Sequence, residues 1–142
     1  MNLSDIETMW EKDSQIDPDN LHTESQNIPS LHAKYYQLHN HFTQLKIHAK
    51  SNYDNIYLER HNYYSGKAEP EVYEKEPFPY KVRDKDALER HMKADEKVSI
   101  AQQKLSIYEM IIKYLEDIIK CIHNRSFHIN NAIEWHKFQG GF

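Results

Sequence analysis

Apolar residues recur along the middle of the chain with the spacing of a long amphipathic helix. From Pro29 onward, two series each repeat every seven residues and interleave at steps of four and three, which is the spacing of a coiled-coil seam. The first series comprises Leu31, Leu38, Leu45 and Asn52, and the second comprises Tyr35, Phe42, Ala49, Ile56 and Tyr63. The pattern predicts one long helix from about 29 to 64, with Pro29 in its first turn and Gly66 at its end.

A second amphipathic pattern fills the C-terminal half of the chain. Its apolar positions, again spaced by four and three, are Ala94, Val98, Ala101, Leu105, Tyr108, Ile112, Leu115, Ile119 and Ile122. Ile111 and Ile118 widen the apolar face, which predicts contact with more than one neighbour. With Asp84 as its N-cap, the pattern predicts a second long helix over 84–124 that folds back antiparallel to the first.

The N-terminal segment, residues 1–28, is acidic and only partly helical in its pattern. The stretch Ser4-Asp5-Ile6-Glu7 matches a capping box, in which the serine hydroxyl and the glutamate carboxylate satisfy free backbone N–H groups. It predicts a short helix from about 4 to 14. A second short helical segment is predicted near 20–26, after the turn at Pro18.

A proline-rich connection and an aromatic C-terminal stretch complete the chain. Residues 68–83 contain three of the five prolines and are predicted to be an ordered connecting loop, whose Val72, Tyr73, Phe78, Tyr80 and Val82 pack against helices. Residues 125–142 are predicted to form a short helix, which either caps the end of the helical pair within the chain or contacts another subunit. The residues that would make this contact are Phe127, Ile129, Ile133, Trp135 and Phe138.

Together these elements predict an all-α protein with a single domain over residues 1–142. Its centre would be a helical hairpin of two long antiparallel helices, the first of them lying within residues 29–67, flanked by short N- and C-terminal helices. Three glycines in 142 residues leave little material for the tight turns of a hairpin-rich β fold.

Composition also bears on where the protein works. The single cysteine, Cys121, cannot form an intrachain disulfide, which favours a reducing cytoplasm. No segment approaches the roughly 20 apolar residues that span a bilayer, and the N-terminus lacks the basic and apolar regions of a signal peptide. We expect no membrane contact.

Charge is distributed unevenly along the chain, whose net charge is −4. Residues 1–29 carry seven acids and one lysine, whereas residues 30–67 carry five lysines or arginines against two acids, together with five of the ten histidines. A local basic zone therefore lies within an acidic protein. The acidic segment would either dock on a basic partner surface or compete with DNA.

The basic zone ends in the motif Tyr-Tyr-Ser-Gly-Lys-Ala, residues 63–68. Single-stranded nucleic acid needs cations for its phosphates and aromatic faces for its unpaired bases, and the zone has both. The candidate contact residues are Lys46, Lys50, Arg60, His61, Tyr64, Ser65 and Lys67. Tyr63 lies on the apolar seam and is expected in the core, whereas Tyr64 lies off the seam and is the candidate for stacking. The alternative is a solvated helix face with tyrosines packed inside the hairpin.

Other chemistries find little support in the sequence. The motif has one glycine, and Ala68 stands where a nucleotide-hydrolysing loop needs a Mg²⁺-binding hydroxyl. The ten histidines include no His-x₃-His pair and no H-E-x-x-H motif, and no nucleophile lies in a recognisable catalytic pattern. We expect no catalytic residue, no metal and no cofactor.

The chain resembles the UvsY family of recombination mediators of T-even-type phages, and most closely the versions found in related cyanophages. The similarity covers nearly the whole chain, through the stretches KDSQIDPDNLHTES, YYSGKA, EPFPYKVRDKD, ADEKVS and NRSFHINNAIEWHKFQ. It implies a non-enzymatic protein in the cytoplasm of the infected bacterial host. Such a protein binds single-stranded DNA and helps a RecA-like recombinase of the UvsX type displace single-strand-binding protein. It also implies helical protomers that assemble into a homo-oligomeric ring of about six or seven subunits.

In this family the basic residues just before the Tyr-Tyr-Ser-Gly motif are associated with DNA contact. Arg60 and, after the motif, Lys67 retain that character here, whereas Leu58 stands where a second upstream cation is expected. Lys46, Lys50 or His61 would compensate for it. The alternative function is a structural coiled-coil adaptor that never touches DNA, and salt-sensitive DNA binding separates the two.

Overall fold

The computed structural model describes residues 1–141, and the regular structure in that range is entirely α-helical. The helices are α1 (Leu3–Asp13), α2 (Leu21–Gln26), α3 (Ile28–Tyr64), α4 (Pro70–Lys75), α5 (Lys85–Ala94), α6 (Glu96–His123) and α7 (Arg125–Gln139). The all-α prediction is confirmed. Within the described range no helix combines the length and apolar character needed to cross a bilayer, and no three His, Cys, Asp or Glu side chains gather as a metal site requires.

The helices pack into two compact units. Unit 1 comprises residues 1–43 together with the chain from Met110 onward, and unit 2 comprises residues 44–109. Because α3 and α6 are long, each contributes residues to both units. The core of each unit is formed by its own set of buried side chains.

Unit 1 has a core of large aliphatic and aromatic side chains. Its residues with at most 2% exposure are Ile6, Tyr35, Phe42, Ile111, Leu115, Ile118, Ile122 and Ile129. Within this unit, the rings of His32 and His123 lie 5.3 Å apart and His39 lies 3.3 Å from Glu116. The segments of α3 and α6 in unit 1 therefore run antiparallel.

The first residue of α7 is a buried arginine that ties three segments of unit 1 together. The Arg125 guanidinium donates to the backbone carbonyls of Ser14 and Gln15 at 3.3 and 3.0 Å, and to the Glu24 carboxylate at 2.9 Å. A buried guanidinium requires such partners. These bonds attach the start of α7 to α2 and to the connection between α1 and α2.

Unit 2 has a smaller core in which α3, α5 and α6 take part. Its buried apolar residues are Ala49, Tyr63, Met92, Val98, Ala101 and Leu105. Two ion pairs link α3 to α6. Lys46 pairs with Glu109 in the middle of α6 at 4.0 Å, and Arg60 pairs with Asp95, the residue directly before α6, at 2.7 Å. The two segments run antiparallel in this unit as well.

The predicted apolar seams are confirmed in part. Tyr35, Phe42, Ala49 and Tyr63 of the second α3 series are at most 6% exposed, whereas Asn52 of the first series is exposed. In the part of α6 that lies in unit 1, Leu115 and Ile122 of the predicted seam are buried together with Ile111 and Ile118, whereas Ile112 and Ile119 of the seam are only half-buried. A strict seven-residue repeat drifts by about 20° per heptad on a straight helix, so the predicted seam does not stay at the centre of the core.

The prediction of one continuous helix over 84–124 is wrong. Asp95 separates α5 from α6, with extended backbone angles of φ −68° and ψ 125°. Its carboxylate accepts the Val98 N–H at 3.0 Å and so caps α6. Asp84 is confirmed as the cap of the preceding helix, because it accepts the Ala87 N–H at 2.6 Å.

Two further local predictions need correction. The capping box at the N-terminus is formed by Asn2 and Asp5, with reciprocal bonds of 2.8 and 2.9 Å, and not by Ser4 and Glu7. The connection 68–83 contains the short helix α4, which has Pro70 in its first turn, where the missing proline N–H costs nothing.

Candidate nucleic-acid interface

The end of α3 is built as the sequence predicts. Gly66 has φ +79°, the Lys67 N–H donates to the Asn62 carbonyl at 2.9 Å, and the Gly66 N–H donates to the Tyr63 carbonyl at 3.3 Å. This pair of bonds is a Schellman cap, which needs a left-handed residue. Because a Cβ at position 66 would meet nothing within 4 Å, the backbone conformation alone explains the glycine. Lys67 follows it on the surface.

Tyr63 is the core residue that the seam predicts, with 3% exposure. Its hydroxyl donates to the Glu76 carbonyl at 2.9 Å, and its ring stacks on that of Tyr73 at 5.4 Å between centroids. The Tyr73 hydroxyl in turn donates to the Tyr63 carbonyl at 2.8 Å. These contacts attach α4 and the residues after it to the end of α3.

The structure places Arg60 in the interior of unit 2, whereas the sequence predicts a surface contact with phosphate. Its side chain is 4% exposed. The guanidinium donates twice to the Glu76 carboxylate at 3.1 Å and once to Asp95 at 2.7 Å, and it lies 4.2 Å from the centre of the Tyr63 ring. In this arrangement Arg60 organises the motif, and its charge is matched by carboxylates of the same unit.

Hydrogen bonding keeps the Arg60–Asp95 pair ionised. Burial by itself would raise the pKa of Asp95, but hydrogen bonds from Tyr64, the Val98 N–H and Arg60 outweigh burial and hold this pKa below its ordinary value. Burial by itself would lower the pKa of Arg60, but its bonds to Glu76, Tyr64 and Asp95 raise it above the ordinary value. A buried pair of this kind is stable only when its remaining polar atoms are also bonded.

Tyr64 and Ser65 are both engaged inside the protein. The Tyr64 hydroxyl donates to Asp95 at 2.6 Å, and its half-buried ring stacks against His91 at 5.3 Å between centroids. The Ser65 hydroxyl donates to the His61 carbonyl. The ring predicted to stack on a DNA base therefore already has a stacking partner within its own unit.

The predicted cations on the surface differ in how far they are neutralised. Lys50 is 56% exposed and pairs with Asp54 at 2.9 Å, and Lys46 is 42% exposed and 4.0 Å from Glu109. His61 is half-buried, and its ring lies 6.3 Å from that of Tyr57. Lys67 is exposed and has no ion pair within residues 1–141, so it is the most available of the predicted cations.

A cavity of about 320 Å³ opens beside the motif, and it contains residues that the sequence analysis did not single out. Its lining residues are Tyr63, Tyr64, Ser65, Gly66, Tyr73, Phe78, Tyr80, Lys81, Val82 and Arg83. Tyr80, which the sequence predicts to pack against a helix, is 67% exposed, and its ring lies 6.2 Å from that of His91 in α5. Lys81 and Arg83 are exposed as well and make no ion pair within the described part of the chain.

The sequence itself contains a signal for the part of the cavity formed by Tyr80, Lys81 and Arg83. Lys81, Arg83 and Lys85 alternate with other residues directly after Tyr80, which is the combination of cations and an aromatic ring that single strands require. Pro77 and Pro79 restrict the backbone just before it. Phe78 anchors the segment, because its ring lies 5.4 and 5.2 Å from the rings of Tyr63 and Tyr64.

The apolar residues predicted for subunit contact have different environments. Ile129 is 2% exposed and belongs to the core of unit 1, and Ile133 is half-buried. Phe127, Trp135 and Phe138 are 66%, 58% and 72% exposed, and the rings of Trp135 and Phe138 stack at 5.6 Å. Exposed aromatic side chains of this kind are typical anchors of protein contacts.

Solved structures of one phage protein share the fold of this chain. A crystal structure of the bacteriophage T4 recombination mediator protein UvsY, lattice type II, aligns with a TM-score of 0.86 and 21% identity over 99% of this chain and 98% of the other. Lattice type IV aligns with a TM-score of 0.82 and 19% identity over 98% and 99% of the two chains. Lattice type I gives 0.84 and 20% over 95% and 98%. At these identities the likeness concerns the fold.

No curated protein sequence matches the chain. The model of the family described as "Recombination, repair and ssDNA binding protein UvsY" matches residues 9–142. The resemblance seen in the motifs is thereby confirmed, and the chain belongs to the UvsY family.

Proposed function

We propose that this protein is a recombination mediator that binds single-stranded DNA beside its Tyr-Tyr-Ser-Gly motif. The observation that carries the proposal is the cavity of about 320 Å³, in which the motif faces the exposed Tyr80, Lys81 and Arg83. Cations attract the phosphates of a strand, and exposed aromatic rings stack with unpaired bases. Membership of the UvsY family supports the same function.

The bound strand is presented to a RecA-like recombinase of the UvsX type. Single-strand-binding protein coats the DNA and must be displaced before recombinase can assemble on it. A mediator that holds the strand weakens the contacts of the coating protein and offers a segment for recombinase to enter. Binding energy alone performs this exchange, so the mechanism includes no catalytic step and needs no cofactor.

Assembly of protomers into a ring would bring several weak DNA-binding sites together on one strand. Phe127, Trp135 and Phe138 are exposed on α7 and would hold protomers together in a closed ring of about six or seven subunits. Each protomer then contributes Lys67 and its cavity, with Lys46 and Lys50 as further cations. Several modest sites on one strand bind far more tightly than one, because each bound site raises the effective concentration of the next.

A second candidate function, a helical adaptor that does not bind DNA, is favoured by a different surface. Ile100 and Ile107, seven residues apart on α6, are 57% and 53% exposed. Exposed aliphatic residues at that spacing suit a partner helix. An adaptor of this kind has no reason to bind DNA in a salt-sensitive way.

A loading assay tests the proposed function. Recombinase is added to single-stranded DNA that is already coated with single-strand-binding protein, and filament assembly is followed through the DNA-dependent ATPase activity of the recombinase. We expect this protein to shorten the lag, and the double variant Lys81→Ala, Arg83→Ala to lose most of that effect.

The matched control is the double variant Lys97→Ala, Lys104→Ala. It removes the same charge from exposed positions of unit 2 that do not line the cavity, and it should shorten the lag as the parent does. If the parent protein leaves the lag unchanged with a recombinase that assembles normally on naked DNA, the proposed function is wrong.

A further inference from the structure

The cavity beside the motif has the size of a site for one small group. Its volume of about 320 Å³ lies at the lower end of the range of roughly 300–1,000 Å³ for small-ligand pockets. It is therefore matched to a single nucleotide unit and not to a long stretch of strand. We propose that it captures one unstacked nucleobase of single-stranded DNA, which stacks on Tyr80 while Lys81 and Arg83 hold the adjoining phosphates. This inference rests on the proposed function and adds to it the part of the DNA that is recognised.

Tyr80 is the aromatic residue of the cavity with a ring open to a ligand. Tyr63 is 3% exposed and is stacked on Tyr73, and Tyr64 is stacked on His91. Tyr80 is 67% exposed, although its ring meets the Phe78 ring edge to face at 5.8 Å between centroids and lies tilted at 6.2 Å from the His91 ring. These two contacts support the Tyr80 ring while leaving most of its surface in solvent.

Across the cavity from Tyr80, the lining includes the small residues Ser65 and Gly66. The Ser65 hydroxyl uses its hydrogen to bond the His61 carbonyl, so its oxygen still accepts a bond from an N–H donor on the edge of a base. Gly66 has no side chain, and the space where a Cβ would lie is free to 4 Å. A base edge can therefore approach the backbone at this point.

The walls are held in place before any ligand arrives. Pro77 and Pro79 restrict the segment that leads to Tyr80, and the bonds from Tyr63 and Arg60 to Glu76 attach the start of this segment to α3. A preformed site loses little conformational entropy on binding.

Base capture explains a preference for single strands. In a duplex both faces of every base are stacked, so a base must first be pulled out at considerable cost. In a single strand an unstacked base is already accessible. Cations alone give no such preference, because phosphates are present on both forms of DNA.

The test compares two fluorescent oligonucleotides of equal length and equal charge in an anisotropy titration. One carries thymine at every position, and the other consists of abasic residues, which keep the phosphates and lack the bases. We expect the parent protein to bind the thymine strand about 5- to 150-fold more tightly, the range for stacking of one base.

Four variant proteins test which residues are responsible for the tighter binding of the thymine strand. Tyr80→Ala should bind both strands equally, and Tyr80→Phe should keep the preference because the aromatic face remains. Tyr57→Ala is the matched control, since Tyr57 is an exposed tyrosine of the same unit outside the cavity, and it should behave as the parent. Lys81→Ala with Arg83→Ala should weaken binding of both strands by a similar factor.

The outcomes separate this inference from the proposed function. If the parent binds both strands equally well and with strong salt dependence, base capture is wrong and DNA binding stands. If neither strand binds at low salt, the proposed function fails first. Thymidine monophosphate serves as a competitor, and we expect no displacement at micromolar concentration. Displacement there that depends on Tyr80 would make the cavity a site for free nucleotides and overturn the inference.

Discussion

At the residue scale, burial decides what the charge of Arg60 does. A guanidinium with 4% exposure cannot rely on water, and Glu76, Asp95 and Tyr64 replace the water. The same bonds bring the end of α3, the segment after α4 and the cap of α6 to one point in unit 2. A positively charged residue before the motif thus stabilises the site from within.

Arg60→Ala should lower the free energy of unfolding by about 3–5 kcal/mol, because Asp95 is left buried without its cationic partner. Urea denaturation measures the change. Lys50→Ala, which removes a 56% exposed cation, is the control and should change stability by less than about 0.5 kcal/mol. A fully stable Arg60→Ala protein with impaired DNA binding would contradict the structural role and indicate direct contact with the strand.

The Arg60–Asp95 pair also makes stability depend on pH in the acid range. The pKa of Asp95 is lowered in the folded protein, so its contribution is fully present above the ordinary value of about 3.9 and is lost as pH falls through the folded pKa. The urea concentration at which half of the protein is unfolded should therefore decrease as the pH is lowered below about 4. This decrease should be less steep for Asp95→Asn than for the parent protein. Identical pH profiles for the two proteins would show that Asp95 carries no such linkage.

Single residues also show how far the sequence allows prediction. The burial of Tyr63 follows from its place in a seven-residue repeat, which is local information. The burial of Arg60 depends on Glu76 and Asp95, 16 and 35 positions away, and no local pattern reports that. The exposure of Tyr80 was missed for a similar reason, because Phe78 takes the packed position in the same short segment.

At the element scale, the end of α3 and the break between α5 and α6 differ in how clearly the sequence predicts them. The stop of α3 is encoded by Gly66 itself, since only a residue that tolerates positive φ completes the Schellman cap. The break between α5 and α6 was not predicted, because the apolar spacing of Ala94 and Val98 continues across Asp95. An aspartate just before an apolar residue was the available signal of an N-cap.

Gly66→Ala should lower the free energy of unfolding by about 1–2 kcal/mol, the cost of a left-handed conformation for a residue with a Cβ. The space around position 66 is open, so no steric clash adds to this cost. Gly66→Asn should be less destabilising, since asparagine adopts this conformation more readily. Thermal unfolding of the parent, Gly66→Ala and Gly66→Asn proteins measures their order of stability. Equal destabilisation by Ala and Asn would mean that the positive φ of position 66 is not the cause of the lost stability.

At the scale of the whole molecule, α7 has one apolar residue inside and three aromatic residues outside. Ile129 completes the core of unit 1, whereas Phe127, Trp135 and Phe138 are solvent-exposed in the single chain. The aromatic content of this stretch was visible in the sequence. Which residues faced inward was not, because the short helix lacks a clear apolar period. The ring itself stays a prediction.

The two sets of residues on α7 should respond differently to mutation. Trp135→Ala with Phe138→Ala should lower the molar mass measured by light scattering and leave the unfolding free energy of the protomer nearly unchanged. Ile129→Ala should lower that free energy by about 2–5 kcal/mol, since it opens a cavity in the core. A double variant that keeps the full molar mass of the parent would exclude α7 as the subunit contact.

The central claim is that exposed cations beside the Tyr-Tyr-Ser-Gly motif bind single-stranded DNA. Its most direct test is the affinity for a labelled single strand at several salt concentrations, measured by anisotropy for the parent and for the Lys81→Ala, Arg83→Ala protein. We predict a linear fall of the logarithm of affinity with the logarithm of salt, and a slope that is shallower in the variant by about 0.7 for each phosphate it no longer neutralises. Equal slopes for the two proteins, or no binding even at low salt, would contradict the claim.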